Sequence, residues 1–304
     1  MKAFISKKTF KKMDLGLYIL VLPAVVYIII FKYIPMYGVQ IAFKDFSPVL
    51  GIAKSPWVGI EHFIVFFGSF NFKRILVNTI LLSVYELLWA FPFPIVIALL
   101  LNQLRSKRFK LILQNLVYIP HFISTVVLVG MMVVIFNPGS GVVNQIIKLL
   151  GGENINFLTA PEYFRTLYIG SGIWKNSGWS AIIYLAALSA VDPRLYEAAA
   201  IDGAGKFRRI INIDIPSILP TVMIMLILSV GRIMSIGFEK SYLMQNSLNI
   251  SVSEIIATYV YKIGLQQAKY DYAAAIGFFN NVINMILLIA TNKLSKKITG
   301  NSLW

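Results

Sequence analysis

The chain is 304 residues long, 58% hydrophobic and 13% charged, and its mean hydropathy of +0.73 exceeds that of a water-soluble domain, so lipid is the solvent for most of it. With no cysteine and only two histidines, His62 and His121, disulfides, thiolate chemistry and a histidine-rich metal centre are excluded, and no cofactor is expected. The net charge of +15 sits in short clusters beside apolar runs, a pattern that reports membrane orientation and speaks against nucleic acid as a partner.

A helix crossing the hydrocarbon core needs ~20 mostly apolar residues. Six such runs follow one another: Leu15 to Ile34, Ile75 to Leu101, Leu111 to Phe136, Phe164 to Val191, Ser217 to Gly237 and Ala274 to Asn292. The first follows a basic stretch, as a cleaved signal peptide would. It outruns a signal core of about 7–15 residues, and Phe31, Lys32, Tyr33 and Pro35 follow it in place of a small-residue cleavage site, so it is read as a span. The fourth and fifth runs hold charges, Lys175 and Arg232. Between spans, Met36 to Lys73 and Asn137 to Tyr163 are Pro- and Gly-punctuated loops with room for short helices. The expected fold is all-α, a polytopic membrane protein with six transmembrane helices. Its organisation is a basic segment 1–14, a six-span domain 15–292 containing the loop 192–216, and a tail 293–304.

Lys and Arg accumulate on the cytoplasmic side of short loops. Here they cluster before the first span (Lys2, Lys7, Lys8, Lys11, Lys12), after the second (Arg105, Lys107, Arg108, Lys110), after the fourth (Arg194, Lys206, Arg208, Arg209) and after the sixth (Lys293, Lys296, Lys297). Those four segments, both termini included, are assigned to the cytoplasmic side of the membrane.

The loop between the fourth and fifth spans opens on a helix-start signal, with Asp192 placed to cap and Pro193 at the first helical position. Gly203 offers a stop. The result is a short helix with Leu195, Ala198, Ala199 and Ile201 as small or apolar contacts and Glu197 and Asp202 as charges. By itself this is also what an amphipathic connector on the membrane surface looks like.

The residues Glu197-Ala198-Ala199-Ala200-Ile201-Asp202-Gly203-Ala204, with Phe207, Ile213 and Pro216 at fixed offsets, resemble the signature cytoplasmic loop of bacterial importer permeases of the ATP-binding-cassette superfamily. The six-span layout, Tyr37 to Phe46, the Gly237-Phe-Glu-Lys-Ser-Tyr-Leu-Met-Gln-Asn stretch and the basic end closing in Ser302-Leu-Trp304 are similar to carbohydrate-uptake permeases related to the larger membrane subunit of the maltose transporter, closest to its complex-oligosaccharide branch. The maltose subunit carries extra N-terminal spans and a large outer domain that this sequence lacks. The resemblance implies a type I importer permease without catalysis of its own. It further implies a second homologous permease as heterodimer partner, two cytoplasmic ATPase subunits, an extracytoplasmic solute-binding protein and an oligosaccharide substrate. It also implies that Glu197, Ala198, Asp202, Gly203 and Ala204 couple to the ATPase, Glu197 meeting a partner Arg in a charge-assisted pair.

Charges inside a span cost about 2.5–3.5 kcal/mol each and therefore face protein or a wet cavity. Lys175 and Arg232 fit this description, with Glu86 as counter-charge, and Gly172 to Trp179 combines aromatics, an amide and small residues of the kind that hold sugars. In the maltose-type subunit the in-membrane sugar contacts lie on spans that correspond here to regions near His121 and Thr125, Gly172 to Trp179, and Arg232 to Ser235. His121, Trp174, Asn176, Trp179 and Arg232 are therefore the candidate substrate-binding residues. Trp174 and Trp179 equally suit an interfacial aromatic belt, and His121 beside Pro120 suits the repair of backbone groups freed by proline. Two cations in the spans raise an anionic glycan as substrate; a salt bridge to Glu86 is an equally simple account. The asparagines Asn280, Asn281 and Asn284 at helical spacing are assigned to contacts between helices. An importer permease of the same kind for a different small solute is one rival reading, and an ion-coupled secondary transporter is the other. Against it, Glu86 is the one acid inside a span and no internal repeat is visible. No Gly-x-x-x-x-Gly-Lys-Ser/Thr occurs, so ATP hydrolysis falls to another chain.

Overall fold

The structure, a computed structural model, describes residues 15–104, 106–300 and 302. The basic segment 1–14, Arg105, Leu303 and Trp304, which entered the orientation and resemblance readings, lie outside those residues. Helices dominate, and among the described residues extended pairing is limited to the single bridge Lys44 to Trp57.

Helix α1 (Tyr18–Phe43) and helix α2 (Phe70–Asn102) are each long and apolar enough to cross a membrane. The apolar window of α1 buries nothing against the rest of the chain. Only its last turns pack: Ala42 is fully buried and Phe43 meets Phe278 with ring centroids 5.6 Å apart.

The third expected span is not one helix. Helix α3 (Lys107–Phe122) and helix α4 (Thr125–Ile135) meet at 96°. Pro120 removes a backbone donor, Ile123 and Ser124 are extended, and Ser124 Oγ accepts from the Val127 N–H at 3.2 Å to start α4 afresh. Counting that pair as a single crossing gives five candidate spans by length and composition. Helix α5 (Pro161–Ser189) has 29 residues but is more polar.

Helix α6 (Pro193–Ile201) occupies the loop, and helix α7 (Lys206–Val230) is again apolar enough to span. The fifth expected span ends early: α7 stops at Val230, and Arg232 lies in the turn beyond it. That broken backbone is repaired by neighbours. Asn284 Oδ1 accepts from the Met234 N–H at 2.9 Å, its Nδ2 donates to Ser235 Oγ at 2.7 Å, and Ser83 Oγ donates to the Ile233 carbonyl. A short helix α8 (Phe238–Met244) follows, and helix α9 (Tyr270–Thr299) closes the bundle.

The connections gather at two ends. At one, Asn102 lies beside Tyr196 and Asp214. At the other, the Phe46 N–H donates to Asp271 at 3.1 Å, Arg74 pairs with the buried Glu254 at 2.5 Å, and Asn78 Nδ2 donates to the Ser251 carbonyl at 2.8 Å. Three apolar clusters hold the helices together. Leu99, Ala181, Leu185 and Ile218 join α2, α5 and α7; Leu82, Leu128, Met132, Phe164 and Ile236 join α2, α4, α5 and the turn before α8; Phe66, Ile75, Tyr259 and Ile276 join the segment before α2, the start of α2 and the segment before α9 to α9. The α3–α5 contact is closest at Gly178, where a Cβ would lie 1.9 Å from the Val117 carbonyl oxygen.

Candidate functional site

A cavity of 480 Å³ opens where α2, α4, α5, α7 and α8 converge. Its position follows from the two helix breaks, since polar backbone and side chains at membrane depth require a protein-lined or watered space. The α3–α4 break brings Thr125 to the wall, and the end of α7 brings Ser229, Arg232 and Ser235.

Three cations from three segments face this space: Lys175 on α5, Arg232 after α7 and Lys240 on α8, against Glu86 on α2 and Glu239 on α8. Among the described residues none of these five forms an ion pair within 4.0 Å. Lys175 Nζ instead donates to Thr125 Oγ1 at 3.3 Å. Lys240 donates to the Tyr168 carbonyl and lies 4.4 Å from the Tyr168 ring centroid, a cation–π contact. Burial pushes the Lys240 ammonium down to about 8, with Glu86 opposing the fall and Lys175 adding to it. Among the described residues Glu86 makes no salt bridge with Lys175 or Arg232. The Tyr168 hydroxyl donates to the Gly237 carbonyl at 3.2 Å and so ties α8 to α5.

Of the five substrate candidates, Asn176 and Arg232 line the cavity. His121, Trp174 and Trp179 are not among its lining residues. His121 stacks on Trp179 with centroids 4.7 Å apart and planes at 3°, and its Nδ1 is 3.3 Å from Asn176 Oδ1, so this stack reaches the cavity through Asn176. Trp174 is exposed. Lys240 and Glu239 were missed as site residues. They belong to the Gly237-Phe-Glu-Lys stretch, whose two charges beside a glycine were the available signal. Tyr168 was missed because an aromatic on an apolar helix carries no mark of its neighbours.

The loop forms a second surface. Asp192 Oδ1 accepts from the Arg194 N–H at 2.9 Å and caps α6; the Arg194 side chain, whose Nε donates to Asp192 Oδ2 at 2.9 Å, together with that backbone bond holds the carboxyl below its ordinary value. At the other end the Ala204 N–H donates to the Ala199 carbonyl at 2.8 Å and the Gly203 N–H to the Ala200 carbonyl at 3.1 Å, with Gly203 at φ +70°. This is a Schellman stop, which glycine enters without the Cβ penalty. Of the five coupling candidates, Glu197, Ala198, Asp202 and Gly203 are exposed and Ala204 is half-buried. Ile201 and Phe207 beside them are 87% and 76% exposed.

Residues 90–300 match the family described as binding-protein-dependent transport system inner membrane component. Protein LplB of Bacillus subtilis (strain 168) is 46% identical over 293 residues, covering 96% of this chain and 92% of that protein. The polygalacturonan/rhamnogalacturonan transport system permease protein YteP of the same organism is 47% identical, covering 92% of this chain and 88% of that protein. Among solved structures, a bacterial ABC transporter that imports the acidic polysaccharide alginate superposes with a TM-score of 0.87 at 40% identity, covering 94% of this chain and 96% of that one. The bacterial alginate transporter in complex with an alginate pentasaccharide-bound periplasmic protein gives 0.88 at 39% identity, covering 95% and 97%.

Proposed function

We propose that this chain, which belongs to the family of binding-protein-dependent transport system inner membrane components, is the permease subunit through which an ABC importer passes an acidic oligosaccharide across the bacterial plasma membrane. The observation that carries the acidic character is the excess of cations in the cavity. Lys175, Arg232 and Lys240 face two carboxylates, and among the described residues none of the three forms an ion pair within 4.0 Å. A carboxylated sugar supplies the missing counter-charge, and Arg232 suits a carboxylate through its planar donor fork. Asn176 provides an amide for hydroxyls, with the His121–Trp179 stack behind it. The names of the relatives agree with a polysaccharide-derived substrate, alginate among them being acidic.

In this reading the end of the bundle carrying α6 faces the cytoplasm together with both termini. The segment 1–14 and the tail 293–304 flank the permease domain 15–292, and the loop 192–216 is the coupling loop. One of two cytoplasmic ATPases docks there, on Glu197, Ala198, Asp202, Gly203 and Ala204, and the pair hydrolyses the ATP. A second homologous permease completes the path, and an extracytoplasmic solute-binding protein delivers sugar to the opposite end.

The test is uptake by the reconstituted complex carrying Arg232→Ala, with uronate-containing and neutral oligosaccharides of equal length. Loss of one charge-assisted bond predicts roughly a tenfold or larger fall in apparent affinity for the charged sugar and little change for the neutral one. An equal loss for both refutes the acidic assignment.

A further inference from the structure

Asp214 is fully buried, yet among the described residues it makes no ion pair within 4.0 Å. It ends a π-helical turn, Ile210–Asp214, near the start of α7. Its Oδ1 accepts from the Tyr196 hydroxyl at 2.5 Å and from Asn102 Nδ2 at 3.4 Å; its Oδ2 accepts from Gln103 Nε2 at 2.6 Å. Asn102 Nδ2 also reaches the Tyr196 oxygen at 3.5 Å. Every donor is neutral, and the three come from two other segments: Tyr196 from α6, Asn102 and Gln103 from the end of α2.

A buried carboxylate satisfied only by neutral donors is an expensive way to hold helices together, and an apolar contact of the same volume does so at lower cost. What the carboxylate adds is direction, because it fixes three donors in one geometry. π-helical turns of this kind recur where a helix is reshaped for function. The network also has a particular placement. Tyr196 is half-buried on the helix whose neighbouring Glu197 and Ala198 are exposed. On the inner side, α2 carries Ser83 and Glu86 into the cavity and α7 carries Met225 and Ser229.

Resting on the reading of α6 as the ATPase docking helix, we propose that Asp214 is a positioning residue that clamps Tyr196 of α6 to Asn102 and Gln103 of α2. Displacement of the docking helix is thereby delivered to the two helices that line the cavity. The clamp makes α6, the end of α2 and the start of α7 one body, and motion divides elsewhere, at the turn after Val230 and at the α3–α4 break.

The chain contains no cysteine, so spin labels are placed at Arg194→Cys and Leu100→Cys in the full reconstituted complex. Their separation is measured by pulsed EPR without nucleotide and with ATP bound. The separation is expected to stay the same in both states, and to shift on ATP binding once Asp214→Asn removes one acceptor oxygen. Uptake per ATP hydrolysed by Asp214→Asn falls about fivefold or more, the lower range of typical coupling between sites. Tyr196→Phe gives the same direction. The exchange Asp214→Asn with Gln103→Glu restores a carboxylate–amide pair and is expected to recover both readouts; if Asp214→Asn alone fails to assemble, this exchange and Tyr196→Phe decide. A label separation that already changes with ATP in the otherwise unaltered chain overturns the proposal. So does wild-type coupling in Asp214→Asn and Tyr196→Phe, or an exchange that assembles without recovering coupling. The EPR measurement needs no sugar, so a failed uptake of acidic oligosaccharides counts against the substrate assignment alone. Unchanged ATPase association in Glu197→Ala counts against the docking reading.

Discussion

Adding a single methyl group at Gly178 is expected to damage the bundle far more than the same change eight residues away on the same helix. The Cβ of Gly178→Ala would sit 1.9 Å from the Val117 carbonyl oxygen and 2.5 Å from the carbonyl carbon. Retreat of the oxygen to a still crowded 3.0 Å requires α3 and α5 to part by more than 1 Å, against backbone that has no rotamer to yield. Overpacking of this kind costs about 1–3 kcal/mol. The parting also pulls His121 off Trp179, whose stack is held by these two helices. Gly170 in α5 has open space at its Cβ position, and there Ala gains up to about 1 kcal/mol of helix propensity. The assay is the thermal midpoint of the purified protein in detergent, followed by tryptophan fluorescence and by size-exclusion recovery after heating. Gly178→Ala should fall by several degrees while Gly170→Ala stays level or rises. Equal midpoints for the two variants would refute the close approach of α3 and α5.

Lys240 supplies a pH dependence with a definite sign. Its ordinary value is lowered to about 8, so the cavity loses one positive charge as pH rises from 7 to 9, and apparent affinity for an acidic oligosaccharide should fall over that window. Lys240→Arg, which remains charged throughout, should flatten the profile; a fall that persists in that variant assigns the titration to another group. At the loop, Gly203→Ala forces an L-residue to φ +70° at a cost of about 1–2 kcal/mol. It should weaken co-purification of the ATPase subunits by roughly tenfold. Gly203→Asn, which tolerates that conformation, should retain most of the binding; indistinguishable Ala and Asn variants would argue that the backbone geometry at this stop is unimportant.

The apolar runs, the basic clusters and the Glu197 to Pro216 loop were legible from one-dimensional order, because lipid imposes a length on each span and a Pro-started, Gly-stopped helix needs only local residues. The helix Pro193–Ile201 and its stop at Gly203 stand where the local signals put them. The break at Pro120 was read as one continuous span, because composition cannot tell a kinked helix from a 96° turn; that depends on whether α5 offers Thr125 and His121 a polar surface. The early end of α7 was likewise hidden, since its freed backbone is satisfied by Asn284 and Ser83 from distant helices.

What the amino-acid order determines by itself is therefore the solvent, the apolar runs and the short helix Pro193–Ile201, all set by interactions between near neighbours or with the bilayer. Which charges meet was decided only in three dimensions. Glu86 and Lys240 come to line one cavity from 154 residues apart in the chain, and Asp214 collects Gln103 and Tyr196 from two separate helices. A buried charge takes whatever donor the packing brings within reach, and helix packing, unlike helix formation, is not written in any single stretch of sequence.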